Sequence, residues 1–72
     1  MFIKLRDKDG DLKLLNVRHI ISVEPFRIKN YKLGEPDTLC TMITSVGAMV
    51  SSTIVYDSVN AIENLINESL NQ

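Results

Sequence analysis

Three groups of residues have types and spacings that could support chemistry, and the first is the acidic segment from Asp7 to Asp11. Its carboxylates alternate with Lys8 and Gly10, which superficially resembles the start of a calcium-binding loop. Such a loop needs oxygen ligands at fixed offsets, a glycine at its sixth position and a closing bidentate glutamate. Here Gly10 comes too early and no glutamate closes the set. The pattern therefore favours a polar hairpin tip.

The second group is a nucleophile and a base, Cys40 and His19, which are the only cysteine and the only histidine in the chain. A thiol acts as a nucleophile when a base lies within hydrogen-bonding reach. Cys40 stands in an alternating segment where a small buried hydrophobic residue is the usual role. We therefore expect Cys40 in the core or at an interface, and His19 near the surface. The sequence predicts no catalytic residues, no metal ligands and no cofactor, and hence a protein that is not an enzyme.

The third group interleaves basic and aromatic side chains in the irregular stretch between Pro25 and Pro36. Such a cluster can clamp an anion while an aromatic ring stacks on a base, or it can anchor a protein partner. A third interpretation is a solvated basic loop whose aromatic side chains fold back onto the core. We call these residues the basic-aromatic segment, and they are the predicted partner- or ligand-binding residues: Phe26, Arg27, Lys29, Tyr31 and Lys32.

The elements that must position these groups begin with a hairpin. Residues 2 to 8 alternate, with Ile3 and Leu5 on one face, which is typical of a half-buried strand. Asp9-Gly10 then predicts a two-residue hairpin turn, because this dipeptide readily supplies positive φ.

A second strand is predicted from Asp11 to Leu15, with Leu12 and Leu14 on its inner face. Leu15 falls on the opposite face, which indicates a sheet that is covered on both sides or curled.

The middle of the chain is a turn, a strand and a loop. Asn16 favours a short turn, and the β-branched run from Ile20 to Glu24 predicts a strand. Pro25 cannot donate to a ladder, so it marks a strand end, an edge or a bulge. We interpret residues 25–36 as an exposed loop or as a strand extension that bends outward.

Two further strands and a helix complete the chain. Residues 37–44 and 48–56 are rich in Thr, Ile, Val and Met, and both segments are apolar on both faces. Asp57 or Ser58 then supplies an N-cap oxygen for an amphipathic helix. Its apolar stripe recurs at three- and four-residue spacing and comprises Val59, Ile62, Leu65, Ile66 and Leu70.

This order of elements predicts a single α+β domain over residues 1–72. Residues 2–56 would form a strongly bent antiparallel β-sheet of four to five strands, small and barrel-like, interrupted by the inserted loop 25–36. Residues 57–70 would form a C-terminal amphipathic helix packed across the sheet.

Charge is distributed unevenly along the chain. Residues 1–36 hold all eight basic side chains and five acidic ones, a net charge of +3, whereas residues 37–72 hold four acids and no base, a net charge of −4. This asymmetry permits head-to-tail association or a local anion site, but it is not the broad basic field of a nucleic-acid binder. The single cysteine, the absence of a long apolar run and the charged start predict a cytoplasmic protein without a membrane span.

The sequence resembles a family, the small flagellar FlbD/SwrD-like proteins, over nearly its whole length. The resemblance rests on Ile3-Lys4-Leu5, Gly10, Leu15-Asn16, Ile20 with Val23-Glu24, Pro36-Asp37-Thr38, Gly47 and Ser58-Val59. It implies the same fold, a non-enzymatic protein and a flagellar role. The chain departs from the family pattern by an insertion across Pro25 to Glu35 and by extra residues around Ser45 and Val46, and the insertion is where a divergent role would lie.

These observations predict a small cytoplasmic adaptor or regulator that binds another protein through the basic-aromatic segment. The alternative is a phage-type anti-defence or host-takeover protein that sequesters a nucleotide signal, or another anionic small molecule, or contacts nucleic acid, through Arg27, Lys29 and Lys32. We also expect a homo-oligomer, a dimer or a higher assembly, because a chain of 72 residues retains little net stability from a single core.

Overall fold

The structure is a computed structural model that describes residues 1–71, and these residues form an α+β fold. Antiparallel strands make up two sheets, one of two strands and one of three strands. The elements in chain order are β1 (Phe2–Arg6), β2 (Leu12–Asn16), a 3-10 turn (Val17–His19), β3 (Ile20–Ile28), β4 (Thr38–Val46), β5 (Val50–Val55) and α1 (Val59–Leu70).

The turn of the β1–β2 hairpin contains three residues, so the prediction of a two-residue turn is wrong. The Asp7 N–H donates to the Asp11 carbonyl at 3.0 Å, and the Gly10 N–H donates to the Asp7 carbonyl at 3.0 Å. Gly10 has a φ of +85°. A type I turn followed by a left-handed residue is the usual three-residue hairpin connection, and glycine adopts that conformation without steric cost.

This turn sets the register of the hairpin and reverses the predicted faces of β2. Ile3 lies opposite Leu15, and Lys4 lies opposite Leu14. The inner face therefore carries Leu15, whereas Leu12 and Leu14 are 52% and 63% exposed. The predicted inward position of Leu12 and Leu14 is wrong because one additional turn residue moves every side chain of a strand to the other face.

Strand β3 continues through Pro25 to Ile28, so the strand does not end at the proline. Pro25 lies opposite Thr41, and β3 is the edge strand of the sheet β3-β4-β5. In the β4–β5 ladder the Gly47 N–H donates to the Met49 carbonyl. Because backbone groups of an antiparallel strand point to alternate neighbours, the odd-numbered residues of β4, including Thr41, likewise direct their backbone groups toward β5. The Pro25 nitrogen therefore faces away from β4, and the sheet loses no hydrogen bond.

The core lies between the two sheets and the helix. Both sheets contribute to it, and Ile43, Val55 and Ile62 are completely inaccessible. Leu65 and Ile66 pack against this cluster from α1, but Leu70 is exposed and Ser69 is buried instead, which corrects the predicted stripe at its last position. The buried members of the cluster are Ile3, Leu5, Val17, Ile43, Val55 and Ile62.

Helix α1 begins where the sequence predicted a cap. Ser58 has extended backbone angles, and its Oγ accepts a hydrogen bond from the Ala61 N–H at 3.1 Å. This bond satisfies one of the first N–H groups of the helix, which have no partner within it. Asp57 precedes the cap, and the helix itself extends from Val59 to Leu70.

The strands form two sheets instead of the single bent sheet that the sequence predicted, and the described residues do not form a closed barrel. One backbone hydrogen bond, from the Lys8 N–H to the Ile54 carbonyl at 2.8 Å, joins the hairpin tip to β5. The two sheets therefore meet at that point and share one core.

The molecule is elongated, with principal dimensions of 45 × 26 × 20 Å and a radius of gyration of 13.2 Å. A compact chain of this length would have a radius of gyration of about 11 Å. The outer part of the β3–β4 hairpin accounts for the difference, because residues 26–39 contribute nothing to the core cluster. Among residues 1–71, no helix has the length and apolar character needed to cross a membrane.

Candidate functional site

The basic-aromatic segment lies on the projecting hairpin, which we call the arm (residues 25–41). Phe26 and Arg27 are in strand β3, whereas Lys29, Tyr31 and Lys32 are in the loop between β3 and β4. The predicted loop 25–36 is therefore a strand extension up to Ile28 and a loop only beyond it.

Asn30 organises the loop at the end of the arm. Its N–H donates to Asp37 Oδ1 at 3.0 Å, and its side-chain Nδ2 donates to Glu35 Oε2 at 2.8 Å. Its Oδ1 accepts from the Lys32 N–H at 3.0 Å, which closes an Asx turn. Gly34, at a φ of +84°, completes the reversal. Asn30 thus holds three points of the loop together.

The arm presents its predicted binding residues in different directions. Phe26 lies opposite Cys40 and Arg27 lies opposite Leu39, and because successive side chains of a strand point to opposite faces, Phe26 and Arg27 do not share a face. Phe26 is half-buried. Tyr31 is 91% exposed at the tip, so the loop leaves its ring free for a partner.

A groove of about 460 Å³ lies at the base of the arm. The Thr41 hydroxyl, almost completely buried, donates to the Asp57 carbonyl at 2.6 Å and fixes the segment between β5 and α1 against β4. Leu39 and Tyr56 are exposed in the groove. We call this feature the base groove, and it is lined by Pro25, Phe26, Arg27, Leu39, Cys40, Thr41 and residues 56–59.

The cations of the arm are available to an outside partner. Arg27, Lys29 and Lys32 are exposed, and within residues 1–71 none of the three lies within ion-pair distance of a carboxylate. The two carboxylates of the same loop, Glu35 and Asp37, instead accept hydrogen bonds from Asn30. The arm therefore combines apolar side chains at its base with three cations that form no ion pair within residues 1–71.

Cys40 and His19 do not form a nucleophile–base pair. Cys40 is buried opposite Phe26, and its thiol is free. His19 is exposed in the 3-10 turn, immediately before Ile20, which pairs with Ser45. Ser45 is five residues from Cys40 along β4, which corresponds to about 17 Å. This distance is far beyond hydrogen-bonding reach.

The acidic hairpin tip has a structural role. One oxygen of Asp7, Oδ1, accepts from the Asp9 N–H at 3.0 Å and from the Asp11 N–H at 2.9 Å. Arg6 donates to the Gly10 carbonyl at 2.9 Å across the same turn. These bonds stabilise the three-residue connection and agree with the interpretation of this segment as a polar hairpin tip.

Sequence reasoning missed three residues of the site: Asn30, Leu39 and Tyr56. The signal for Asn30 was present, because Asn before a Gly-containing loop commonly forms an Asx turn. Leu39 and Tyr56 gave no comparable signal. Their exposure depends on how far β4 projects past the core and on where the β5–α1 link returns, and neither is a local property of the sequence.

Comparisons of this chain with models of protein families, with curated proteins and with solved structures return no match. The function is therefore argued from the arm and the base groove themselves.

Proposed function

We propose that this protein is a non-enzymatic adaptor or regulator that acts in the cytoplasm by binding another protein through the arm. The observation that carries the proposal is the base groove, where exposed Leu39 and Tyr56 flank a recess of about 460 Å³ beside unpaired Arg27. Aromatic and Arg side chains around an apolar recess are typical of the residues that dominate the affinity of protein interfaces.

The chemistry of the arm defines the partner. An apolar side chain of the partner would fill the base groove, and acidic side chains beside it would face Arg27, Lys29 and Lys32. Charge complementarity of this kind mainly accelerates association, whereas the buried apolar contact controls dissociation. The partner surface is therefore an apolar anchor with an acidic border.

Affinity capture with matched variants tests this proposal. Leu39→Asp places a charge in the base groove, and Leu70→Asp places the same charge at another exposed leucine, at the end of α1. We expect affinity capture to recover a protein that binds wild type and Leu70→Asp but does not bind Leu39→Asp. Titration calorimetry with that purified partner then measures the loss of affinity. Identical sets of captured proteins for all three baits would contradict the proposal.

The alternative function is capture of a nucleotide signal or nucleic acid, as in a phage-type anti-defence or host-takeover protein. The unpaired cations of the arm favour it, because Arg27, Lys29 and Lys32 could contact phosphates while Tyr31 stacks on a base. A thermal-shift screen with nucleotides distinguishes the two functions. It compares wild type with a variant in which Arg27, Lys29 and Lys32 are all replaced by Ala. Stabilisation of wild type alone would replace the adaptor proposal with this one.

The family resemblance is retained as part of the proposal. A flagellar FlbD/SwrD-like origin accords with a non-enzymatic adaptor, and the barrel-like form of such a protein is supported here by the Lys8–Ile54 bond between the two sheets. Flagellar genes beside the coding sequence would favour this origin, whereas a phage early region would favour the alternative function.

We further propose that the protein is a homo-oligomer. Among residues 1–71, thirteen large hydrophobic residues are exposed and seven hydrophobic residues are buried, so the apolar side chains exceed what one core can cover. Light scattering at tens of micromolar should give a mass above 8.1 kDa. A monomer mass at that concentration would refute oligomerisation without affecting the adaptor proposal.

A further inference from the structure

Charges of opposite sign lie on two separate elements, the arm and α1, and do not meet within one copy of the chain. Lys29 and Lys32 are exposed at the tip of the arm, and Glu63 and Glu68 are exposed on α1. Among residues 1–71, none of these four side chains lies within ion-pair distance of an opposite charge. No basic residue follows Lys32 in the chain, so the helix has no cation of its own.

The exposed face of α1 is polar and acidic. Three asparagines at helical spacing form a stripe along it: Asn60, Asn64 and Asn67. With 3.6 residues per turn, Glu63 lies on one side of this stripe and Glu68 lies on the other. Leu70, an exposed apolar side chain, lies about two turns after Glu63 on the same side of the helix. The face therefore offers hydrogen-bonding groups between two carboxylates, with an apolar side chain near its end.

The last turn of α1 also lacks a stabilising positive charge. The carbonyl groups at the C-terminus of a helix carry a partial negative charge, which is stabilised by basic side chains nearby. This turn contains no basic residue, and Glu68 adds a further negative charge to it. A cation supplied from outside the chain would offset both the Glu68 carboxylate and the helix terminus.

The tip of the arm has the complementary composition. Lys29 and Lys32 lie on either side of Tyr31, and Tyr31 and Leu33 are exposed. The three hydrogen bonds of Asn30 hold this loop in one conformation, so the exposed side chains are carried on an organised surface. None of these residues contributes to the core cluster. The tip is therefore free to contact a second molecule.

We infer that the tip of the arm docks on the exposed face of α1 in a second copy of this chain. The two lysines of the tip pair with the two glutamates of the helix, and Tyr31 and Leu33 pack against Leu70 and the asparagine stripe. Complementary charges of this kind accelerate association and fix the register of the contact. Two arms carry like charges and repel each other, so the contact joins an arm to a helix.

A second copy is the occupant because the chain itself carries both halves of the contact. Its net charge of −1 also gives two copies little overall repulsion. In a two-fold dimer each copy contributes one arm and one helix, and the contact forms twice. The inference rests on the proposed homo-oligomer, whose interface it defines. An acidic partner of the base groove would meet the same lysines, so that partner and the second copy compete for the tip of the arm.

Charge reversal tests the inference on the full chain by sedimentation equilibrium. The reversed arm is Lys29→Glu with Lys32→Glu, and the reversed helix is Glu63→Lys with Glu68→Lys. Each variant alone places like charges at the contact, so its Kd for self-association should rise at least tenfold over that of wild type. An equimolar mixture of the two variants should associate within about threefold of wild type, because the reversed arm then faces the reversed helix and the native arm faces the native helix.

Lys4→Glu with Arg18→Glu is the matched control. Both residues are exposed, lie outside the arm and α1, and form no ion pair within residues 1–71. The control changes the net charge by the same amount as the reversed arm, and its Kd should stay within about threefold of wild type. An equal loss of association in the control would overturn the inference, because the effect would then come from net charge. A mixture of the two reversed variants that stays monomeric would also overturn it.

The salt dependence of wild type gives a second test that does not depend on the folding of any variant. Raising NaCl from about 0.05 M to about 0.5 M screens exposed charges and should raise the Kd for self-association at least tenfold. An oligomer that is insensitive to salt, or reversed variants that associate like wild type, would overturn the inference but leave the proposed homo-oligomer to another surface. A monomeric wild type would overturn both, whereas the adaptor proposal is tested separately by affinity capture.

Discussion

Gly10 is the single residue on which the first hairpin most depends. Its φ of +85° lies in the left-handed region, and a Cβ placed there would meet no atom within 4 Å. Gly10→Ala should therefore lower the free energy of unfolding by about 1–2 kcal/mol through backbone strain alone. Urea denaturation measures this change.

Gly47 provides the control for Gly10, because a Cβ at Gly47 also meets open space but the residue has no positive φ. Gly47→Ala should change the free energy of unfolding by less than about 0.5 kcal/mol. Equal losses for the two variants would contradict the assignment of the effect to backbone conformation.

Ile62 is the residue through which α1 is fixed to the core. Its side chain is completely inaccessible, so Ile62→Ala removes buried methyl groups and leaves a cavity, at a cost of about 2–5 kcal/mol. Leu70→Ala, at an exposed position of the same helix, should cost less than about 1 kcal/mol. Thermal unfolding followed by circular dichroism should rank the variants in this order, and the reverse order would place the helix on the wrong face.

At the level of elements, the start of α1 depends on its N-cap. Ser58→Ala removes the acceptor for the Ala61 N–H and should cost about 1 kcal/mol. Ser58→Asp restores an acceptor oxygen and should regain most of that stability, since Asp and Ser are comparable at this position. Urea midpoints for the three proteins test this prediction, and a destabilised Asp variant would contradict the capping role.

At the level of the whole molecule, we expect the loop of the arm, residues 29–37, to extend the shape and to contribute little to stability, because none of these residues belongs to the core cluster. Ile28 lies opposite Thr38, so residues 29–37 can be replaced by Asn-Gly, which favours a two-residue hairpin turn. The shortened protein should keep its melting temperature within a few degrees, because surface loops can change length at small entropic cost.

X-ray scattering should show the accompanying change of shape. Under conditions in which both proteins are monomeric, the radius of gyration should fall from near 13.2 Å toward the value of about 11 Å expected for a compact chain. Equal radii for the two proteins would mean that the arm folds back onto the core in solution.

The sequence alone determined the elements whose signals are local. Ile3 and Leu5 alternate with polar residues, and both are buried. Ser58 caps α1, as its position before the apolar stripe predicted. Ile62 lies on the buried face of a helix with a 3.6-residue period. The placement of Phe26 and Arg27 on a projecting hairpin also agrees with the predicted strand extension. The alternation, the cap residue and the helical period are each recognisable within a few residues along the chain, and the local sequence therefore predicts these elements.

Only the tertiary structure decided which faces are covered and which edges are open. The three-residue turn at Gly10 directed Leu12 and Leu14 outward, although their spacing suits either face. Pro25 fits within a strand because β3 is an edge and its nitrogen faces away from β4. The base groove likewise arises between elements distant in sequence. Burial and hydrogen bonding at these positions depend on which strands become neighbours, and the local pattern does not contain that information.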